Sequence, residues 1–150
     1  MEYRISELSS CAYFEKQLSQ WHQRHWGQLQ QNNPLDNRLE SYLLNDELPF
    51  MFVAHGTELM GSAALVLQHK NAEDIDLLWL TNLYVHPPYR DQGIGRALVN
   101  FVVNRAKRLG YPEIYLSTYQ QKAYYSKLGW SVLLSRKIGE EKLVVMKHSL

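Results

Sequence analysis

The sequence predicts a mixed α/β domain in which helices pack against a central sheet. The first part of the chain is rich in helix formers, whereas β-prone runs dominate from residue 50 onwards. Two later segments return to helical spacing, and strands follow each of them, which is typical of a layered α/β fold. The 150 residues suffice to bury one substantial core, and we expect a single domain over residues 1–150.

The N-terminal third predicts two helices. Residues 7–30 carry apolar side chains at uneven helical spacing, and the Asn32-Asn33-Pro34 run breaks the pattern. A second, short helix is expected over residues 35–45, and Pro49 ends it.

The remaining helices and strands are predicted from changes in the spacing of apolar residues and from glycine and proline residues that end an element. Pro87 cannot donate to a strand ladder, and Gly110 and Gly129 stop the two later helices. In chain order we predict a hairpin of strands at 50–54 and 59–68, a polar loop at 70–74, a strand at 76–85, a helix at 97–109, a strand at 114–118, a helix at 120–128 and strands at 130–135 and 143–147.

Composition narrows the class of protein. Hydrophobic residues make up 45% of the chain and charged residues 21%, and the formal net charge of +1 gives no basic field for nucleic acid. No stretch approaches the roughly 18 apolar residues of a membrane span, and residues 1–10 contain no apolar h-region of the kind that a signal peptide carries. The single cysteine, Cys11, excludes an intramolecular disulfide and is expected to be a small buried apolar residue. We therefore expect a cytoplasmic protein that binds neither membrane nor nucleic acid.

The junction between the strand at 76–85 and the next helix predicts a phosphate site. A helix start leaves four N–H groups without helical partners, and its dipole adds partial positive charge. Gly93 and Gly95 let a ligand approach the backbone, while Arg90 and Arg96 flank the turn. A Walker A loop is excluded because no lysine follows the glycines, and the dinucleotide fingerprint is excluded because residue 98 is leucine. A glycine turn with a purely local role is the alternative.

Two segments carry a family resemblance. The run Leu-Tyr-Val-His-Pro-Pro-Tyr-Arg-Asp-Gln-Gly-Ile-Gly-Arg-Ala-Leu at 83–98 resembles the acetyl-CoA motif Arg/Gln-x-x-Gly-x-Gly/Ala of the GCN5-related N-acetyltransferases, the GNAT family. The run Tyr-Tyr-Ser-Lys-Leu-Gly-Trp at 124–130 is similar to the family's late helix motif. The resemblance implies a mostly antiparallel sheet of six to seven strands with a parallel splayed pair and flanking helices. The region around 114–120 is similar to a bacterial subgroup of unassigned substrate.

The resemblance implies acetyl-CoA as co-substrate and places its site. The strand before the turn would carry a bulge, and its backbone would hold the pantetheine arm. Tyr125 would protonate the leaving thiolate, with a packing role in an aromatic cluster as the alternative. Thr118 and Gln120 would touch the arm or the acceptor. The implied cofactor-binding residues are Leu83, Tyr84, Val85, Arg90, Asp91, Gln92, Gly93, Ile94, Gly95, Arg96, Ala97, Thr118 and Tyr125.

At the positions where relatives carry the general base, this sequence departs from the family pattern. Strand alternation predicts that Trp79, Thr81, Leu83 and Val85 share one face. Trp79 and Thr81 occupy positions where relatives hold Glu or His, and neither is a good base. Asp76 is the candidate for a water-relayed base, with Asp74 beside it; solvated loop ends are the alternative for both.

The acceptor pocket is expected from the first helices and the bulged strand, with His25, Trp26, Trp79 and Thr81 as its residues. His22 and His25 lie three apart without a matching carboxylate, so no metal is expected. His86 is expected to be structural and to face the phosphate side. The resemblance leaves the acceptor open among small amines, aminoglycoside-like compounds, amino acids and protein N-termini, and a homodimer as one option.

Three functional hypotheses follow. The first is an acetyl-CoA-dependent N-acetyltransferase in which a primary amine attacks directly in a ternary complex. The second, motivated by the missing base, is a CoA-binding module without catalysis. The third is a structural α/β domain.

Overall fold

The computed structural model describes residues 2–26, 48–69 and 76–150. The predicted helix at 35–45 and the predicted loop at 70–74, with Asp74, lie outside these residues. Short 3-10 turns occupy Leu8–Ser10, Ala12–Phe14 and Pro87–Tyr89. The main elements are β1 (Arg4–Glu7), α1 (Glu15–Trp26), β2 (Phe50–His55), β3 (Leu59–His69), β4 (Asp76–Val85), α2 (Ile94–Arg108), β5 (Glu113–Thr118), α3 (Lys122–Lys127), β6 (Ser131–Ile138) and β7 (Glu141–Ser149).

The strands form one seven-stranded sheet in the order β1-β2-β3-β4-β5-β7-β6. Every neighbouring pair is antiparallel except β4 and β5, which are parallel. The predicted fold class is confirmed: a mixed, mostly antiparallel sheet with one parallel pair and helices beside it.

The start of the chain differs from the prediction. Residues 4–7 form β1, which pairs with β2 from Arg4↔His55 to Glu7↔Phe52, and the helix begins only at Glu15. A four-residue edge strand has little local signal, because its stability comes from a partner about 50 residues away in the chain. The helix expected from residue 7 is therefore eight residues shorter at its start than predicted.

Two buried clusters lie on opposite faces of the sheet. The α2-side core is built on α2, and its fully buried members include Phe52, Leu65, Leu98, Val102 and Met146. The α1-side core is built on α1, and it contains Leu18, Trp21, Val53, Leu59 and Trp79, with Cys11 buried beside them as predicted. Burying one such large apolar side chain contributes about 1.5–3 kcal/mol, so both faces of the sheet are firmly covered.

Candidate functional site

The last third of β4 carries a β-bulge. Ser62 pairs with Tyr84 while Ala64 pairs with Thr81, so β4 has one residue more than β3 in this stretch. Asn82 lies within the extra stretch and adopts a left-handed backbone with φ of 54°. A bulge interrupts the ladder and bends its strand. The bulge implied by the family resemblance is therefore present.

The bulge also corrects the predicted alternation. Trp79 packs in the α1-side core, whereas Leu83 and Val85 pack against the α2-side core. The prediction that these side chains and Thr81 share one face is wrong, because the extra residue moves every later side chain to the opposite face. Tyr84 now points toward α1, and Leu83 and Val85 point toward α2.

β4 and β5 diverge directly after their only point of pairing. The parallel register consists of Trp79↔Tyr115, whereas β5 and β7 pair over six residues from Glu113↔Ser149 to Thr118↔Val144. The edge of β4 from residue 80 to residue 85 therefore faces β5 without pairing to it. An open strand edge of this kind can accept an extended ligand as an additional strand.

A tight turn links β4 to α2. After the 3-10 turn, Asp91 and Gly93 adopt left-handed conformations with φ of 62° and 83°. The Arg90 Nε donates to the carbonyl of Val85 at 2.7 Å, and its guanidinium lies 5.6 Å from the centroid of the Tyr84 ring. Arg90 thus closes the turn onto the end of β4. The Gln92 side chain donates to the carbonyl of Pro88 at 3.3 Å and supports the same turn.

The start of α2 presents free backbone donors. Gly93 is the N-cap and offers no side-chain hydrogen bond, and the first helical bond runs from the Ala97 N–H to the Gly93 carbonyl at 3.1 Å. The amides from Gly93 to Arg96 therefore have no helical acceptor. The amide of Ala97 is already engaged, so the predicted anion site ends at Arg96. With the helix dipole and the exposed Arg96 side chain, these amides form a site for an anion.

Tyr124 contacts the same helix start. A Cβ placed on Gly95 would lie 3.1 Å from the Tyr124 hydroxyl oxygen, so only glycine allows this approach without displacing Tyr124. Burial raises the pKa of Tyr124, and the positive charge of Arg96 acts in the opposite direction. The sequence assigned Tyr124 no binding role. Its contact with Gly95 forms only in the folded chain, so no local sequence signal links Tyr124 to the turn.

A cavity of about 680 Å³ joins these features. Its volume lies within the range of small-molecule sites. The lining comes from the end of β4, the turn, the start of α2 and α3, together with one residue of α1. These residues are His25, Leu83, Val85, Tyr89, Arg90, Asp91, Gly93, Ile94, Gly95, Arg96, Gln121, Tyr124 and Tyr125.

Tyr125 lies at the inner wall of this cavity. Its side chain is 9% exposed, and its ring packs edge-on against Tyr124 at 5.2 Å and Trp130 at 6.2 Å between centroids. Burial, with a smaller contribution from Tyr124, raises the pKa of Tyr125 to about 12. The hydroxyl therefore keeps its proton at every pH at which the protein is expected to work. Tyr125 therefore packs in the aromatic cluster and also lines the cavity. Its role as an acid stays a prediction.

Of the described side chains predicted to form the acceptor pocket, the structure places only His25 in the cavity lining. His25 lines the cavity, and its ring centroid lies 5.2 Å from that of Tyr84. Partial burial and, secondarily, the charge of Arg90 lower the pKa of His25 below its ordinary value of 6.5. Trp79 is buried in the α1-side core, and Thr81, the residue directly before Asn82 in the chain, is half-buried. The side chain of Trp26 lies outside the described part of the chain.

Two other predicted residues lie away from the cavity. The Thr118 hydroxyl oxygen accepts a hydrogen bond from the Gln121 N–H at 3.1 Å, so it shapes the turn into α3 while Gln121 lines the cavity. The backbone of Asp76 begins β4, seven residues before Leu83, which corresponds to roughly 23 Å along a strand. The water-relayed role of Asp76 stays a prediction.

His86 faces α1 rather than the phosphate side. Its ring stacks on Trp21 with centroids 4.2 Å apart and planes 6° apart. This contact docks α1 onto the turn after β4, and it brings His25, one helical turn further on, to the cavity. The structural role predicted for His86 agrees with this stack, but its predicted direction was wrong.

The described residues show neither a metal-binding group nor a membrane-spanning helix. Within residues 2–26, 48–69 and 76–150, no group of three His, Cys, Asp or Glu side chains is placed to hold a metal ion. In the same part of the chain, no helix is both long and apolar enough to cross a bilayer.

In this domain, a helix start with unpaired backbone amides lies beside an open strand edge. A family model, Acetyltransferase (GNAT) family, matches residues 8–130, and the chain belongs to this family. No curated protein sequence matches the chain. The family assignment confirms the resemblance drawn from the segments at 83–98 and 124–130.

Solved structures share the fold at low sequence identity. An aminoglycoside 6'-N-acetyltransferase complexed with coenzyme A has a TM-score of 0.80 and 19% identity, over 97% of this chain and 96% of that chain. A GNAT-family acetyltransferase from Staphylococcus aureus has a TM-score of 0.74 and 18% identity, over 99% of both chains. A putative acetyltransferase from Salmonella typhimurium with its cofactor acetyl-CoA has a TM-score of 0.73 and 21% identity, over 99% of this chain and 93% of that chain.

Proposed function

We propose that this protein is an acetyl-CoA-dependent N-acetyltransferase that transfers an acetyl group to a primary amine in a ternary complex. One observation carries the proposal. A single cavity is lined both by the free amides at the start of α2 and by the protonated hydroxyl of Tyr125. The first feature binds a phosphate-bearing donor, and the second supplies a proton to its leaving group.

The donor would lie in the cavity in an extended form. The amides of residues 93–96 and the Arg96 side chain would hold the pyrophosphate. The open edge of β4 between Leu83 and Val85 would bind the pantetheine arm through backbone hydrogen bonds, because its strand neighbour has splayed away. Both side chains line the cavity and would pack against the arm.

Tyr125 is the proposed general acid. In the reaction, the amine nitrogen bonds to the acetyl carbon and the carbon–sulfur bond breaks, leaving negative charge on sulfur. Tyr125 would donate its proton to that sulfur, and the second proton that the nitrogen loses as the amide forms would restore the Tyr125 hydroxyl. Because burial raises the pKa of Tyr125 to about 12, the donor form is present throughout the neutral range.

His25 is the proposed proton acceptor for the incoming amine. It lines the same cavity as Tyr125, and its lowered pKa keeps the imidazole neutral at pH 7. A neutral imidazole can accept the proton that the ammonium form must lose before attack. This assignment replaces Asp76, whose backbone lies at the far end of β4.

A thiol-release assay tests the proposal. Acetyl-CoA is supplied with a panel of aminoglycosides, amino acids, polyamines and peptides with free N-termini, and the free thiol is measured. The aminoglycosides are included because structurally similar proteins carry that activity in their names. Thiol release that depends on one class of amine supports the proposal. No release with any class, together with no change of Tm on adding acetyl-CoA, contradicts it.

A tyrosine pair then tests the mechanism. Tyr125→Phe should lower kcat by about 10²-fold or more while acetyl-CoA binding persists, because general-acid catalysis is removed and the ring is kept. Tyr111→Phe is the matched control, since Tyr111 is half-buried against the α2-side core and does not line the cavity. Equal activity of the Tyr125→Phe variant and the unaltered protein would remove Tyr125 as the acid.

A CoA-binding module without catalysis is the second candidate. It is favoured by one observation: Trp79 and Thr81, at the positions where relatives hold a base, carry no basic side chain and do not line the cavity. It predicts a raised Tm with acetyl-CoA and no thiol release with any amine, so the same assay distinguishes the two functions.

A further inference from the structure

A chain of buried hydrogen bonds joins α1 to the bulge of β4. The His22 Nε2 lies 2.9 Å from the Ser62 hydroxyl oxygen, and that hydroxyl donates to the main-chain carbonyl of Asn82 at 3.0 Å. His22 and Ser62 are 0% exposed and Asn82 is 7% exposed. We call the His22 ring, the Ser62 hydroxyl and the Asn82 carbonyl the bulge tether. It connects three elements that are 20 and 40 residues apart in the chain.

The direction of each bond follows from the chemistry of the groups. A carbonyl can only accept, so the single hydroxyl proton of Ser62 is used toward Asn82. The Ser62 oxygen must then accept from His22, which fixes a proton on Nε2 of the imidazole. In the bulge tether, His22 of α1 donates to Ser62, and Ser62 donates to the main-chain carbonyl of Asn82 in β4.

The bulge tether ends at Asn82, the residue of β4 whose backbone is strained. Asn82 has φ of 54°, a conformation that asparagine tolerates but that persists in a strand only when neighbouring groups hold it. Its side-chain Nδ2 has no hydrogen-bond acceptor among the described residues. The main-chain bond from Ser62, and not the asparagine side chain, is thus the visible restraint on the bulge.

The bulge in turn sets the donor-binding edge. It places Leu83 and Val85 toward the cavity and Tyr84 toward α1, the reverse of regular alternation. A strand that relaxed to a regular ladder would exchange these faces and could pair further with β5. Keeping the edge open therefore requires that the carbonyl of Asn82 stay turned toward Ser62.

We propose that His22 and Ser62 are positioning residues for the acyl donor. They hold the Asn82 carbonyl on the α1 side, and so they keep the backbone of residues 83–85 available to the pantetheine arm. Neither residue lines the cavity. The proposal rests on the proposed function, because it concerns binding of acetyl-CoA.

The molecule contains a matched control. The His55 Nε2 lies 3.0 Å from the Ser6 hydroxyl oxygen, and the His55 ring is 6% exposed. This second His–Ser pair, in which Ser6 is half-buried, joins β1 to β2 away from the cavity lining. The His55 Nδ1 donates to the Gly56 carbonyl at 3.1 Å, so its Nε2 accepts from Ser6, the reverse of the bond between His22 and Ser62. Removing this partly buried pair reports the cost to stability of losing a His–Ser bond without the effect on the bulge.

The test compares two ligands by titration calorimetry. Acetyl-CoA engages both the phosphate site and the arm site, whereas 3′-phosphoadenosine 5′-diphosphate carries the phosphates without the arm. Ser62→Ala and His22→Leu should raise the Kd of acetyl-CoA by about tenfold, the scale of one or two lost hydrogen bonds, and change the Kd of the nucleotide by less than about twofold. Ser6→Ala and His55→Leu should leave both values unchanged.

Two rescue variants guard against misfolding. His22→Gln retains an N–H donor, and it should recover acetyl-CoA affinity that His22→Leu loses. Asn82→Gly combined with Ser62→Ala should recover part of the affinity, because glycine adopts a left-handed conformation without the tether. A purely structural role would give neither a split between the ligands nor these rescues.

Each outcome decides the question. Equal acetyl-CoA affinity in Ser62→Ala and the unaltered protein overturns the tether, and so does a parallel loss of both ligands or an equal loss in Ser6→Ala. If the unaltered protein binds the nucleotide but gains nothing from the arm, the tether proposal fails while the phosphate site stands. If it binds neither ligand, the proposed function itself fails, and the tether with it.

Discussion

The two halves of β4 differ in what their side chains do. Before the bulge, Leu78 and Leu80 enter the α2-side core and Trp79 enters the α1-side core, in regular alternation. After the bulge, Leu83 and Val85 line a cavity, and the strand edge beside them has no partner. The first half pairs with β3 and, at Trp79, with β5, whereas the second half pairs with β3 alone. One left-handed residue, Asn82, separates a structural strand from a binding strand.

The largest effect is expected from Trp79→Ala in the first half. Trp79 is 7% exposed and packs on Tyr115 with ring centroids 5.6 Å apart. Truncating a buried tryptophan costs about 3–5 kcal/mol, so the free energy of unfolding measured in urea should fall by that amount. The Kd of acetyl-CoA should hardly change at a temperature where the variant is folded. A large loss of affinity with unchanged stability would show that the two halves are not separate.

Gly95→Ala should affect the binding half instead. The added methyl would meet the Tyr124 hydroxyl at 3.1 Å and a Val85 methyl at 3.6 Å, so one of the cavity walls would have to shift. We expect the Kd of acetyl-CoA to rise by about tenfold, equivalent to about 1.4 kcal/mol, with a smaller change in Tm. Tyr124→Phe in the same chain removes the contacting oxygen and should recover part of the affinity. An unchanged Kd for Gly95→Ala alone would argue against an anion at this helix start.

Arg96→Gln should have a smaller and salt-dependent effect. The exposed guanidinium would contribute about 0.5–1 kcal/mol to phosphate binding, or a two- to fivefold change in Kd, and less at high salt. Arg108→Gln, at the other end of the same helix, is the control for net charge. Equal effects of the two variants would mean that only the overall charge matters.

The pH dependence tests the α1 contribution. His25 must be neutral to accept a proton, and its pKa lies below 6.5, so kcat/KM should stay level near pH 7 and fall only as pH drops through that lowered value. His25→Gln should lower kcat and remove this acid limb. An acid limb that persists in His25→Gln would assign it to another group. Tyr125, with a pKa of about 12, should add no alkaline limb in the measurable range.

The residues themselves predicted the turn between β4 and α2 well, because its signals are local. Gly93 at a left-handed position, Pro87 after a β-prone run and an apolar helical face at 97–109 each act within a few residues. The bounds of β4 agree with the prediction for the same reason.

The bulge could not be derived from alternation. Its position depends on a hydroxyl in β3 and an imidazole in α1, and Asn82 itself looks like any polar residue within a strand. The access of His25 to the cavity likewise depends on the stack of Trp21 on His86, which forms only when α1 docks. The family resemblance implied a bulge, but which groups hold it is visible only in three dimensions.

Amide chemical shifts during a titration with acetyl-CoA test the central claim most directly. The account predicts that one equivalent shifts the backbone amides of residues 83–85 and 93–96 together, since one ligand spans the strand edge and the helix start. The β6–β7 hairpin, which does not line the cavity, should stay unchanged. Saturable shifts confined to other residues, or no shifts at all, would contradict the account.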